Sequence, residues 1–122
     1  MKLFVGGAFQ GKRDCMQGMF GIEESVIADG AQELKEIAAI DHYHLRIRKQ
    51  LETGLDPVEE LEKLLNKHPD IVLLCDEVGQ GIVPMERADR DYREAVGRTM
   101  CVAAQRAEEV YRVVCGIAQR IK

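Results

Sequence analysis

No stretch of this sequence is apolar for long enough to cross a bilayer as a helix, which takes about 20 residues, so no membrane-spanning helix is expected. There is no excess of positive charge either. Seventeen Lys and Arg face 21 Asp and Glu, a formal charge of −4. That gives no general attraction for nucleic acid or an anionic membrane, and any phosphate ligand must be held by local groups. Cys15, Cys75, Cys101 and Cys115 include no CxxC pair, which removes a zinc knuckle and a disulfide framework and leaves reduced, mostly buried thiols as the expectation. Repeats, low-complexity tracts and linkers are missing, and 122 residues is close to the commonest domain size. One domain over residues 1–122 is expected. The opening MKLFVGG lacks the extended apolar core and cleavage site of a signal peptide, so a cytoplasmic location is the default expectation.

What is present is an ordinary globular composition, 46% hydrophobic and 31% charged. Lys2 to Val5 form a short apolar run ended by Gly6 and Gly7, the pattern of a buried strand entering a turn. A short helix is expected from Lys12 to Phe20, stopped by Gly21. SVIADG, residues 25 to 30, reads as a second strand with a turn at Asp29 and Gly30. In EIAAIDHYHLRIRKQLETG, the run Ile37 to Ile40 suggests a strand, and Leu45, Arg48 and Leu51 then recur at helical spacing as far as Gly54. DPVEELEKLLNKHPD is the clearest helix: Asp56 caps it, Pro57 suits its first turn, and Val58, Leu61, Leu64 and Leu65 share a face. His68 stands in its closing turn, a structural position. DIVLLCDEVGQGIVP supplies a strand buried on both faces and a glycine-rich turn. A long helix is expected from Arg87 to Glu109, and EVYRVVCGI as one last strand. Strands alternating with helices predict a parallel α/β sheet.

The chemistry concentrates in LFVGGAFQGKRD, where Gly6, Gly11 and Lys12 match GxxxxGK. Glycines allow unusual dihedrals, backbone N–H groups and a helix N-terminus surround phosphate, and the lysine reaches the terminal phosphates. The plainer alternative is a glycine turn after a strand. Arg13 breaks the pattern. A Ser or Thr hydroxyl there would ligate Mg²⁺, whereas a guanidinium repels it and can only pair with phosphate oxygens. In DHYH, Asp41 ends an apolar run, and His42 and His44 fall on one side if the backbone is extended. Asp41 suits a metal-side carboxylate and either histidine suits a nucleophile or general base; surface or packing histidines on a helix are the alternative. Asp76 and Glu77 end the buried strand, where open α/β sheets place their ligands. Arg87, Arg90, Arg93 and Arg98 read as a solvated helix face.

Taken together, NKHPDIVLLCDEVGQGIVPMERADRDYREAVGR followed by AEEVYRVVCGIAQRIK, with the N-terminal GGAFQGK, resembles the adenosylcobinamide kinase/adenosylcobinamide-phosphate guanylyltransferase family. The resemblance runs continuously from about Pro69 to Lys122. It implies a P-loop NTPase-type, RecA-like fold with a mostly parallel sheet flanked by helices, a homo-oligomer, and use of the purine nucleotides ATP or GTP, with Mg²⁺, on a corrinoid such as adenosylcobinamide. On this reading the nucleotide sits on Gly6, Gly7, Ala8, Phe9, Gln10, Gly11, Lys12 and Arg13, with Glu77, Arg90 and Arg93 completing the site. The family's loop reads GGARSGKS, so Phe9, Gln10 and Arg13 are changed. Its NEVG is DEVG here, with Asp76 for Asn and Glu77 kept, and Met100 and Cys101 replace an expected Asn-Gln pair. The middle of the chain is shorter than the family's, and the segment carrying the guanylylated histidine, an arginine pair and a Trp is not found; the chain has no Trp. His42 or His44 is then the candidate for that role. Three readings stay open, a kinase of this family, a nucleotide-binding or regulatory homologue without turnover, and a scaffold whose loop binds nothing.

Overall fold

A computed structural model describes residues 1–78 and 86–122. The expected glycine-rich turn with Gly79 and Gly81 lies outside the described residues. Strand β1 (Lys2–Gly6) leads into helix α1 (Lys12–Phe20), and after a 3₁₀ turn at Glu24–Val26 come β2 (Ile27–Asp29) and β3 (Ala39–Asp41). Helices α2 (Tyr43–Glu52) and α3 (Pro57–Lys67) precede β4 (Val72–Asp76); α4 (Arg87–Arg106), β5 (Glu109–Val114) and β6 (Ile117–Arg120) follow. The sheet order is β2-β3-β4-β1-β5-β6, parallel throughout except for the antiparallel β5–β6 pair. This is the mostly parallel, helix-flanked sheet of the P-loop NTPase fold class.

Alternation along the central strands sends neighbouring side chains to opposite faces, and both faces are covered. Leu3, Ile40 and Leu73 face a core completed by Tyr43 and Ile47 of α2, Leu61 of α3 and Tyr92 and Val96 of α4. Phe4, Leu74 and Val113 face Met16 of α1 on the other side. There Phe4 stacks on Tyr111 with ring centroids 4.9 Å apart, while Phe20 meets both rings edge-on. Burying such a ring contributes about 1.5–3 kcal/mol.

Local signals set several boundaries. Gly21, left-handed at φ 65°, stops α1 by donating its N–H to Gln17 O. Asp56 accepts from Val58 N at 3.0 Å and Pro57 occupies the first turn of α3. His68 forms the C-cap of that helix.

Four expectations need correction. Helix α4 ends at Arg106, not Glu109, because Ala107 is extended and Glu109 joins β5 opposite Lys2 of β1. The last strand is two strands: Cys115 (φ 50°) and Gly116 (φ 77°) both have positive φ and form a tight two-residue turn between Val114 and Ile117. The backbone through DHYH is not extended, since His42 is left-handed and Tyr43 begins α2. The thiols are not mostly buried: only Cys75 is, while Cys101 lies on the exposed side of α4, Cys115 at the hairpin turn, and Cys15 is half-buried. Among the described residues no helix is long and apolar enough to cross a membrane.

Candidate functional site

The loop between β1 and α1 is shaped by close approaches. A Cβ on Gly6 would lie 2.5 Å from the carbonyl oxygen of Val113 on β5, so only glycine fits. Gly11 takes φ 87° at the N-cap of α1, where no side chain caps the helix. Phe9 is also left-handed, φ 60°, and its ring is fully exposed. Gly7 and Gln10 are half-buried and Ala8 exposed. The tip of the β5–β6 hairpin clasps this loop. Cys115 N donates to Gln10 Oε1 (2.6 Å), Gly116 N to Gln10 O (2.8 Å), and Cys15 Sγ lies 3.2 Å from Gly116 O.

Lys12 is buried, yet its ammonium is fully engaged: Nζ donates to Gly7 O (2.8 Å) and Gly6 O (3.3 Å) and pairs with Asp76 Oδ1 at 2.6 Å. A buried ammonium without such partners would carry a desolvation penalty of several kcal/mol. The cation is therefore stored at the mouth of the loop, between its carbonyls and the end of β4.

One residue further, the Arg13 guanidinium donates to Asp41 Oδ2 (3.3 Å) and pairs with Glu24, which Gln17 Nε2 also contacts at 2.8 Å. Asp41 is buried at the end of β3, and its other oxygen accepts from His42 N at 2.8 Å. Lys12, Arg13, Asp41, His42 and Asp76, with Phe9, Gln10, Gly11 and Asp14, line one open cleft.

The two histidines differ. His44 is buried; its Nδ1 accepts the backbone N–H of Asp76 (3.2 Å) and its Nε2 faces Asp76 Oδ2 at 3.5 Å. These partners select the neutral ring with its proton on Nε2, and burial lowers its pKa despite the neighbouring Asp76 carboxylate. Its only lone pair is occupied. His42 is half-buried, and its Nδ1 stands 2.6 Å from Asp29 Oδ1. An ionised carboxylate can only accept, so Nδ1 carries a proton, and in the neutral ring the lone pair is then on Nε2. The rings meet edge to face, centroids 5.8 Å apart.

A strand-to-helix glycine loop with its lysine, joined to acids from two neighbouring parallel strands, sits on a sequence whose residues 24–121 match the family model described as cobinamide kinase / cobinamide phosphate guanyltransferase, CobU. The chain belongs to that family. The match reaches well upstream of Pro69 but begins after the glycine loop. Two proteins named bifunctional adenosylcobalamin biosynthesis protein CobU, from Salmonella typhimurium strain LT2 and Escherichia coli strain K12, are each 46% identical to this chain over 52 residues. That stretch is 43% of this chain and 29% of each relative.

The CobU-like residues expected to complete the site are placed differently from one another. Glu77 follows β4, donates its N–H to Gly6 O (2.8 Å), and its carboxylate lies 3.4 Å from Arg112 Nε on β5. It braces the end of β1 from above. Arg90 is exposed and Arg93 half-buried on the first turns of α4; neither lines the loop cleft among the described residues. Arg87 and Arg98 are exposed, as a solvated helix face requires. Sequence reasoning missed Glu24 and Asp29, the carboxylates that hold Arg13 and His42. Neither stands in a motif, and no spacing signal marks them.

The donor set also tests the fit of a divalent cation. Asp41 Oδ1 and Oδ2 accept from His42 N and Arg13, while Asp76 Oδ1 and Oδ2 face Lys12 and His44. Among the described residues there is no group of three or more His, Cys, Asp or Glu able to hold a metal ion. With a guanidinium where a loop of this type has its hydroxyl, these residues do not fit Mg²⁺.

Proposed function

We propose that this chain binds a purine nucleoside triphosphate, ATP or GTP, on residues Gly6 to Arg13 and transfers its γ-phosphoryl group to a corrinoid hydroxyl, as an adenosylcobinamide kinase. The observation that carries the reading is the stored ammonium of Lys12, buried between the Gly6 and Gly7 carbonyls and Asp76 at the N-terminus of α1. An arriving phosphate would exchange those partners for its own oxygens, and Lys12 would stabilise the charge that develops there. The hydroxyl oxygen attacks γ-phosphorus, the bond to the bridging oxygen breaks, and the nucleoside diphosphate leaves. His42 Nε2, which carries the neutral ring's lone pair beside the cleft, suits the base that takes the hydroxyl proton. Family membership supports the corrinoid substrate and a cytoplasmic setting. Exposed Ile117 on the edge strand β6 and exposed Ile121 just beyond it support a homo-oligomer. Light scattering of the purified chain checks the last point.

Incubation with γ-labelled ATP or GTP and adenosylcobinamide tests the activity. Label on the corrinoid, lost in Lys12→Ala, is the expected result, and binding of nucleotide without transfer would leave the non-catalytic homologue. That second reading is favoured by the Arg13–Asp41 pair. Because the family's histidine segment is missing, GTP labelled at its α-phosphate should leave no acid-labile label on the protein. A stoichiometric label lost in His42→Ala would restore the guanylyltransferase reading, and the occupied lone pair of His44 puts it second.

A further inference from the structure

We infer that the loop takes its phosphate ligand without a divalent cation, the Arg13 guanidinium standing where the metal would; the inference rests on the nucleotide reading above. A glycine loop of this kind normally offers a hydroxyl after its lysine and leaves nearby carboxylates to gather around Mg²⁺. Here the position after Lys12 is a permanent cation, and it has captured those carboxylates. Arg13 holds Asp41 from β3 and Glu24 from the turn before β2, and Lys12 holds Asp76 from β4. Each oxygen of Asp41 and Asp76 already faces an N–H group of the protein. A divalent ion entering the cleft would have to displace two side-chain cations and then stand beside both.

The same arrangement suits a bare polyphosphate. Arg13 carries more N–H donors than its two carboxylate partners use, and the planar fork can hold Asp41 with one edge and phosphate oxygens with another. Asp41 and Glu24 fix its direction before the ligand arrives. The specificity that follows is for the metal-free nucleotide over its Mg²⁺ complex.

Calorimetric titration of the purified chain with ATP and with GTP, once in EDTA and once in excess Mg²⁺, tests this directly. Affinity in EDTA should equal or exceed that in Mg²⁺. Arg13→Ser should lose at least tenfold in EDTA and regain affinity when Mg²⁺ is added, while Arg13→Ala should lose it and not regain it; circular dichroism checks that both variants fold. Binding by the wild-type chain that is tenfold or more tighter in Mg²⁺ would overturn the inference and leave the nucleotide reading standing. Absence of binding in either buffer would overturn both.

Discussion

The chain leaves two parallel strands, β1 and β3 on either side of β4, for a helix in nearly the same way and uses the two junctions for opposite purposes. Both β1–α1 and β3–α2 enter their helix from a left-handed residue, Gly11 at φ 87° and His42 at φ 51°, and neither helix has a side-chain N-cap. At the first junction the residue has no side chain, so the backbone lies against Gly116 and the helix end opens onto the cleft. At the second the residue is a histidine, in a conformation that costs about 1–2 kcal/mol for a residue with a Cβ. Hydrogen bonds from His42 N to Asp41 and from its ring to Asp29 offset that cost. One junction offers backbone and the cations Lys12 and Arg13. The other offers a carboxylate and an imidazole, and Arg13–Asp41 joins them. A strained non-glycine residue marks a side chain that must stand in one place, whereas glycine marks a backbone that must be approached.

The comparison can be broken most severely at Lys12. Its replacement by Ala should weaken triphosphate binding by about 2–3 kcal/mol, roughly 30- to 150-fold, as read by calorimetry, since a charge-assisted contact in a partly dry site is lost. Equal affinity would remove the phosphate loop from the account. Next in size is Gly6→Ala, whose methyl would collide with Val113 O; a loss of about 1–3 kcal/mol in urea denaturation is expected, with the β1–β5 pairing disturbed. A sharper contrast sets Gly11→Ala against His42→Gly. The first should cost about 1–2 kcal/mol through its left-handed backbone, and the second should stay within about 1 kcal/mol because relief of strain offsets the lost bond to Asp29. Similar losses at both positions would mean that the two junctions are not built differently.

The smallest effect is on pH dependence. Burial holds the folded pKa of His44 below its ordinary value of 6.5, so between those two values the unfolded chain binds more protons than the folded one. Stability from this group is therefore complete above about pH 6.5 and falls as pH drops toward the folded pKa. Chemical denaturation at pH 7.5 and pH 5.5 should show a drop in the wild-type chain that is reduced in His44→Gln. A drop of the same size in the variant would place the sensitivity elsewhere.

Much of the fold was legible because its signals are local. Gly21 stops α1, Asp56 and Pro57 start α3, and the unbroken apolar run before Asp76 makes a strand buried on both faces. Each depends on dihedral preference, capping or periodicity within a few residues, and alternating helices with such strands leaves few arrangements other than a parallel sheet. The loop itself was legible for the same reason, as glycines and a lysine at fixed spacing. The final hairpin was not, because Cys115–Gly116 is a weak turn signal and EVYRVVCGI reads as one strand until Gln10 is seen holding the turn. Helix α4 was overextended because Glu109 is compatible with a helix, and pairing with Lys2 decides otherwise.

By itself, then, the sequence determined which segments become strands and helices and where the glycine-and-lysine loop stands. Tertiary structure alone decided what the loop's charges do. Arg13 reaches Asp41 across 28 residues, Asp76 N meets His44 across 32, and Cys115 N meets Gln10 across 105. The two histidines of DHYH carry identical side chains two positions apart; one is a buried acceptor with its lone pair occupied and the other a half-buried ring held through Nδ1 by Asp29. The physical reason is that a charge or a lone pair takes its character from the group opposite it in space, and for these residues that group lies on another element of the fold.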